Sequence, residues 1–198
     1  KYQIGVFYKF PFHLYKIESW DVEHINSNTT NEEDDTMTQE QWLLNVYLSA
    51  ENKIQSKIID FFAKDSEEQR NKLFDEIKKH FHQAENWTPE EKNKIWNYTL
   101  LDSSTNRSYG NALFSGKRRV IIGKDKGVKI SIPRFTRDRR LEFTAESKAE
   151  SCFVPPCTKQ VFMKYYSAIM TDANYWTKEI DAVGYLRDIK ECINKLDN

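Results

Sequence analysis

Glycine and proline are scarce in this chain, six and five residues among 198, and cysteine is scarcer still at three. So little glycine and proline, set against abundant aromatics, excludes a linker-like or low-complexity polypeptide. The cysteines exclude a disulfide framework: their number is odd, and although Cys152 and Cys157 stand close together, no second pair completes a zinc site. All three read as reduced thiols. Long apolar runs are missing too. None approaches the roughly 20 residues that span a bilayer, and nothing at the start has the pattern of a signal peptide, so the expectation is a soluble, cytoplasmic protein. The sequence opens without methionine: Lys1 leads straight into the aromatic segment 2–8, as in a domain taken from a longer protein.

What is present is a large stock of core material, 12 Phe, 10 Tyr and 5 Trp, in a chain long enough to bury it as one domain with an insertion. The formal net charge of zero conceals an asymmetry. Residues 117–140 hold ten basic side chains (Lys117, Arg118, Arg119, Lys124, Lys126, Lys129, Arg134, Arg137, Arg139, Arg140) against Asp125 and Asp138. That local surplus of eight positive charges suits a polyanion-binding face, because neutralising phosphates releases condensed counterions. A solvated hairpin with interspersed charges would read the same way.

Along the chain, 19–25 reads as a strand, and 28–36, polar and acidic without an apolar anchor, as a loop beside it. From Thr38 onward Trp42, Leu43, Val46, Tyr47, Ala50, Ile54, Ile58, Phe61 and Phe62 recur at three- and four-residue spacing, which predicts one helix over 38–64. A second helix follows Ser66, with Glu67 and Glu68 in its first turn. A third begins at Thr88-Pro89, threonine as cap and proline at the first helical position. Residues 98–101 read as another strand and Ser103-Ser104-Thr105 as a turn into a helix over 107–118. Strands at 119–122 and 129–132 around a glycine turn at 123–127 come next. The chain closes with amphipathic helices over 158–168 and 176–196, the latter docking through Ile180, Val183, Leu186, Ile189 and Ile193. His80 and His82, two apart, cannot share a helical face as a metal pair.

Two polar motifs carry chemistry. Trp20-Asp21-Val22-Glu23-His24-Ile25 sets an acid beside an imidazole at the end of a strand-like run, a combination that suits a metal ligand next to a general base. Asn97-Tyr98-Thr99-Leu100-Leu101-Asp102-Ser103-Ser104-Thr105-Asn106-Arg107 supplies two asparagines about a second strand. Together with Ser108-Tyr109-Gly110-Asn111, Phe114-Ser115-Gly116-Lys117-Arg118, Phe153-Val154-Pro155-Pro156-Cys157-Thr158-Lys159 and Val161-Phe162-Met163-Lys164-Tyr165-Tyr166, these motifs resemble the HNH (ββα-metal) nucleases. They resemble more closely the C-terminal nuclease domain of GmrSD-like restriction endonucleases, which carry a DGQQR/ParB-like N-terminal domain. The resemblance touches most of the chain, although 28–96 matches only in being helical.

The resemblance implies a helix-rich α+β fold: a ββα-metal core from about 18–27 and 96–122, a helical insertion at about 38–95, a basic hairpin at 117–140 and C-terminal helices at 158–196. It implies a metal-dependent DNA endonuclease of restriction or phage defence. His24 would be the general base, an imidazole of ordinary pKa near 6.5 being able to take a proton from water. Glu23 and Asn106 would offer oxygens to Mg²⁺ or Mn²⁺, and Asn97 would pin the loop that orients His24. Lys117, Arg107 and Arg118 would meet the phosphate, with Arg119, Lys124, Lys126 and Lys129 extending the DNA-binding surface. The implied partners are DNA and an N-terminal nucleotide-binding or sensing domain of the same full-length chain. One departure stands out: HNH sites often read His-Ile-x-Pro, whereas this chain has His24-Ile25-Asn26-Ser27. A catalytically lapsed nucleic-acid-binding module and a helical interaction domain are the alternatives.

Overall fold

The computed structural model describes residues 11–27, 38–81, 87–128, 130–136, 140–144, 153–167 and 175–196; the expected loop at 28–36, His82, Lys129 and Cys152 lie outside them. A short helix α1 (Phe12–Ile17) leads into strand β1 (Trp20–His24), which pairs antiparallel with β2 (Tyr98–Asp102). Trp20 faces Asp102 and His24 faces Tyr98 in the register. The two motifs far apart in sequence are thus the two strands of one ribbon. Alternate side chains of a strand go to opposite faces. Accordingly Glu23 and Ile25 are buried, while Val22 is exposed and His24 half-buried.

The helical excursion between the strands begins at α2 (Gln39–Tyr47), whose start is a capping box: the Thr38 hydroxyl accepts from the Gln41 amide, and the Gln41 side chain accepts from the Thr38 amide. The single helix expected over 38–64 is broken. The Ser49 and Ala50 amides fold back onto the Val46 and Tyr47 carbonyls, and Glu51, in extended backbone, starts α3 (Asn52–Ala63). No glycine or proline marks the break. It is held from outside, by burial of Leu48 and Ala50 against a later helix. α4 (Glu67–Lys78) packs on α3 with an ion pair between Lys57 and Glu76 at 2.9 Å, and Trp42 meets the edges of Phe74 and Phe81 at 5.3 and 5.6 Å. α5 (Pro89–Lys92) is a single turn with Thr88 and Glu91 as its capping box.

After β2 the chain forms α6 (Ser103–Ser108), capped by the Asp102 carboxylate, which accepts from the Thr105 amide at 2.9 Å, and then α7 (Phe114–Asp125). This corrects three expectations. The helix predicted over 107–118 is two helices separated by a turn in which Gly110 takes a left-handed φ of 54°. Residues 119–122, read as a strand from their β-branched run, are helical, because Val120 and Ile121 continue the buried stripe begun by Phe114 and Lys117. The basic hairpin expected at 117–140 is therefore a helix followed by a short hairpin, β3 (Pro133–Phe135) with β4 (Leu141–Phe143), and 130–132 is not a strand.

The C-terminal part comprises α8 (Pro156–Phe162) and, after a π-helical turn at Lys178–Ala182, α9 (Val183–Leu196). The face expected to dock is largely turned outward: Ile180, Val183 and Ile193 are exposed, Leu186 and Ile189 are half-buried, and Asp181, Ala182 and Tyr185 are buried instead. The π turn, with its wider winding, shifts the phase of the stripe, and a buried ion pair between Asp181 and Lys164 fixes it there. Among the described residues no helix is long and apolar enough to cross a membrane.

α7 approaches the α2–α3 elbow very closely at Gly116, where a Cβ would lie 2.9 Å from Leu48 Cβ and 3.1 Å from Ser49 Oγ. Gly116→Ala overpacks this contact and is expected to cost about 1–3 kcal/mol. At Gly110 nothing lies within 4 Å of the added methyl group. Gly110→Ala there loses only the left-handed backbone preference, about 1 kcal/mol. Thermal unfolding of the two variants beside the parent protein checks the order.

Candidate functional site

Everything proposed from the first motif hangs on the end of β1. The chain leaves the ribbon at Ile25, whose amide donates to the Asn97 carbonyl at 2.8 Å. The Asn97 side chain, fully buried, then grips the next residue from both sides: its Oδ1 accepts from the Asn26 amide at 2.7 Å and its Nδ2 donates to the Asn26 carbonyl at 3.0 Å. The same Nδ2 donates to the Lys92 carbonyl at 2.8 Å. A single amide thereby ties together the exit from β1, the end of α5 and the entry to β2. It supplies by hydrogen bonding the rigidity that a proline at position 27 would supply covalently.

On the buried face of β1, Glu23 meets α7. Lys117 Nζ lies 2.6 Å from Glu23 Oε1 and donates to the His24 carbonyl, also at 2.6 Å, with both charged side chains almost wholly removed from solvent. The ion pair with Lys117 is the contact that Glu23 Oε1 has in this interior. The Tyr109 hydroxyl is buried in the same place. Its ring lies beneath the ammonium, 5.8 Å from Nζ to the centroid. Burial pulls the Lys117 ammonium below the ordinary lysine value, and the Glu23 charge opposes that pull. Burial, and then the same carboxylate, push the Tyr109 hydroxyl well above its ordinary value.

His24 projects from the other face. Its ring stands edge-on to Tyr98 at 4.8 Å, and Nε2 lies 3.5 Å from Asn93 Oδ1, an acceptor that also takes the Tyr98 hydroxyl at 3.2 Å. With Nε2–H directed at that oxygen, the lone pair falls on Nδ1. Asn93, itself anchored by donating to the Pro89 carbonyl at 3.0 Å, is thus the residue that faces Nε2. Asn93 is not marked by sequence, and Tyr109, although within one of the matching motifs, has no role assigned by it. Each acquires its place only through the β1–β2 register and the packing of α7.

The structure brings Glu23, Lys117 and the His24 backbone together, and Asn97 to the loop behind them, but it places the Glu23 carboxylate and the His24 imidazole on opposite faces of the ribbon. Asn106 sits on α6, half-buried, beside β1. Among the described residues no group of three or more His, Cys, Asp or Glu converges as a metal cage. The Glu23 carboxylate, although ion-paired with Lys117, and the amide of Asn106 are nevertheless hard oxygen donors of the kind Mg²⁺ accepts while keeping most of its waters.

The cations expected on a DNA-binding surface meet different fates. Lys117 is buried, and a direct phosphate contact for it is corrected to an internal one. Lys124 is neutralised by Asp102 at 2.6 Å. Arg118 spends its Nε on the Phe162 carbonyl at 2.8 Å. Arg107, Arg119 and Lys126 are exposed, and Lys129 lies outside the described residues. No protein family, characterised protein or solved structure matches the chain.

Lys117→Met strands the Glu23 charge in the interior and is expected to destabilise by about 3–5 kcal/mol, whereas the double change Glu23→Gln with Lys117→Met recovers most of that loss. Asn97→Ala leaves one amide and two carbonyls without partners and is expected to cost about 2–4 kcal/mol. Chemical denaturation of the three variants measures both.

Proposed function

We propose that this chain is a metal-dependent DNA endonuclease domain of the HNH type, with a ββα-metal core formed by β1, β2 and the helices that follow. The observation that supports the reading best is the register that pairs the Glu23-His24 strand with the Asn97–Asp102 strand. It sets His24 at the ribbon's end, with its exit loop held by Asn97 and α6 and α7 against the ribbon.

In this reading His24 accepts the proton of the attacking water at Nδ1, while Asn93 holds Nε2–H and keeps the ring in the productive tautomer. Glu23 and Asn106 would hold a divalent cation, Mg²⁺ or Mn²⁺, which would supply neutralisation of charge at the scissile phosphate and the departing oxygen. Lys117 then acts as a positioning residue: it fixes Glu23 and the His24 carbonyl together at one strand end, from whose opposite faces the carboxylate and the imidazole project. Arg107, exposed on α6 next to Asn106, is the cation placed to meet a phosphate there. Targeting and regulation belong to a nucleotide-binding or sensing domain preceding this one in a longer defence protein. A second reading, a nucleic-acid-binding module whose catalysis has lapsed, is favoured by one contact, the Lys117 ammonium lying against the proposed metal-binding carboxylate.

The test is incubation of the purified chain with supercoiled plasmid in Mg²⁺, Mn²⁺ or EDTA. The expected outcome is metal-dependent nicking that His24→Ala reduces by at least about 100-fold, the usual worth of a general base, with an unchanged unfolding midpoint. Salt-sensitive DNA binding without cutting in any metal would select the second reading, and nicking retained by His24→Ala would remove His24 from its role.

A further inference from the structure

Most cations near the ribbon have a carboxylate: Lys117 has Glu23, Lys124 has Asp102 and Lys159 has Asp125. Arg118, Arg119 and Lys126 are different. Among the described residues none of the three is ion-paired, and all three line one cleft of about 490 Å³ between α7 and the α2–α3 elbow. Positions 117 and 119 are separated by about 200° around a helix. The cleft therefore lies on the side of α7 away from Glu23 and β1, and a ligand held in it is remote from the proposed nuclease centre.

The chemistry of the lining selects the ligand. The three cations face a single carboxylate, Glu51, which leaves a surplus of two positive charges. The Ser49 side chain also lines the wall. Leu48, Ala50 and Ile122 give the cleft an apolar floor. Unneutralised cations beside an apolar floor in one cleft suit a small dianion with an organic body. A duplex is far wider than this cleft and could only lie across its mouth.

We propose that this cleft is a binding site for a small phosphate monoester, its phosphate held by Arg119 and Lys126 with the outer amino groups of Arg118, and its organic part lying over Leu48 and Ile122. The site stands independently of the nuclease reading.

Isothermal titration with inorganic phosphate, adenosine 5′-monophosphate and adenosine, at constant ionic strength, tests the proposal. Saturable binding of the two phosphates and none of adenosine is expected. Arg119→Ala and Lys126→Ala should each weaken binding by roughly tenfold or more, the worth of one charge-assisted contact. Lys16→Ala, which removes an equal charge on α1, should leave it unchanged. Absence of saturable binding by either phosphate overturns the proposal, as does binding that Arg119→Ala and Lys126→Ala leave intact. It is overturned equally if the two variants weaken only a duplex bearing 5′-hydroxyl ends, which would make the cations part of a polymer track. Both side chains are exposed, and an unchanged unfolding midpoint confirms that each variant is folded.

Discussion

A lysine ammonium with almost no access to water must find its counter-charge inside the protein, and in this chain that requirement binds α7 to the end of β1. The Lys117 ammonium is satisfied only if Glu23 and the His24 carbonyl both lie within reach, which fixes the strand's twist, its depth and the rotation of the helix across it. Once α7 is set, Gly116 comes to rest on Leu48 and Ser49, and the α2–α3 elbow is set as well. The C-terminal helices repeat the device. Lys164 and Asp181 form a buried pair in which Asp181 also accepts from Thr177 and Ser167. That pair decides which side of α9 faces inward, against the preference of its apolar stripe. Only at α9 does the buried charge override what hydrophobic periodicity alone would choose, because an unpaired interior ion costs more than a few exposed isoleucines; on α7 it joins the apolar stripe.

The basic block that dominates the sequence turns out not to be one surface. A helix distributes consecutive residues around its circumference, so Lys117 faces the ribbon and Arg119 and Lys126 face the cleft on the far side. Charge counted along the chain measures how much positive potential there is; only the helical rotation says where it acts. One helix thus serves as the wall of two chemically unlike places, one dry and internally neutralised, the other wet and left with a positive surplus.

Much of the framework was legible from local signals. Both strands of the ribbon were legible, as was the helix start after Thr38 from its apolar spacing and the one at Thr88 from its cap, since these features act within a few residues. His24 and Asn97 were legible as well, one from its acidic neighbour and the other from its place before a strand. What failed depended on partners distant in sequence. Val120-Ile121-Ile122 carries strand propensity, yet burial of alternate helical turns overrode it. The break at 48–51 has no breaker residue and exists because α7 presses on it. Asn93 and Tyr109 enter the site through tertiary register, which no local pattern encodes.

The hydrogen bonds between Asn97 and Asn26 join positions 71 apart. The ribbon that carries His24 is therefore built from contacts distant in sequence, while the helices threaded between its strands are made of contacts near in sequence. Closing so long a loop costs entropy before any ladder bond repays it, and prior formation of α2, α3 and α4 shortens the effective loop. The excursion between the strands thus acts as a folding scaffold. A chain that has formed its helices but not its ribbon possesses no strand end, no gripped loop and no placed imidazole, so the role proposed for His24 would wait on completion of the whole domain.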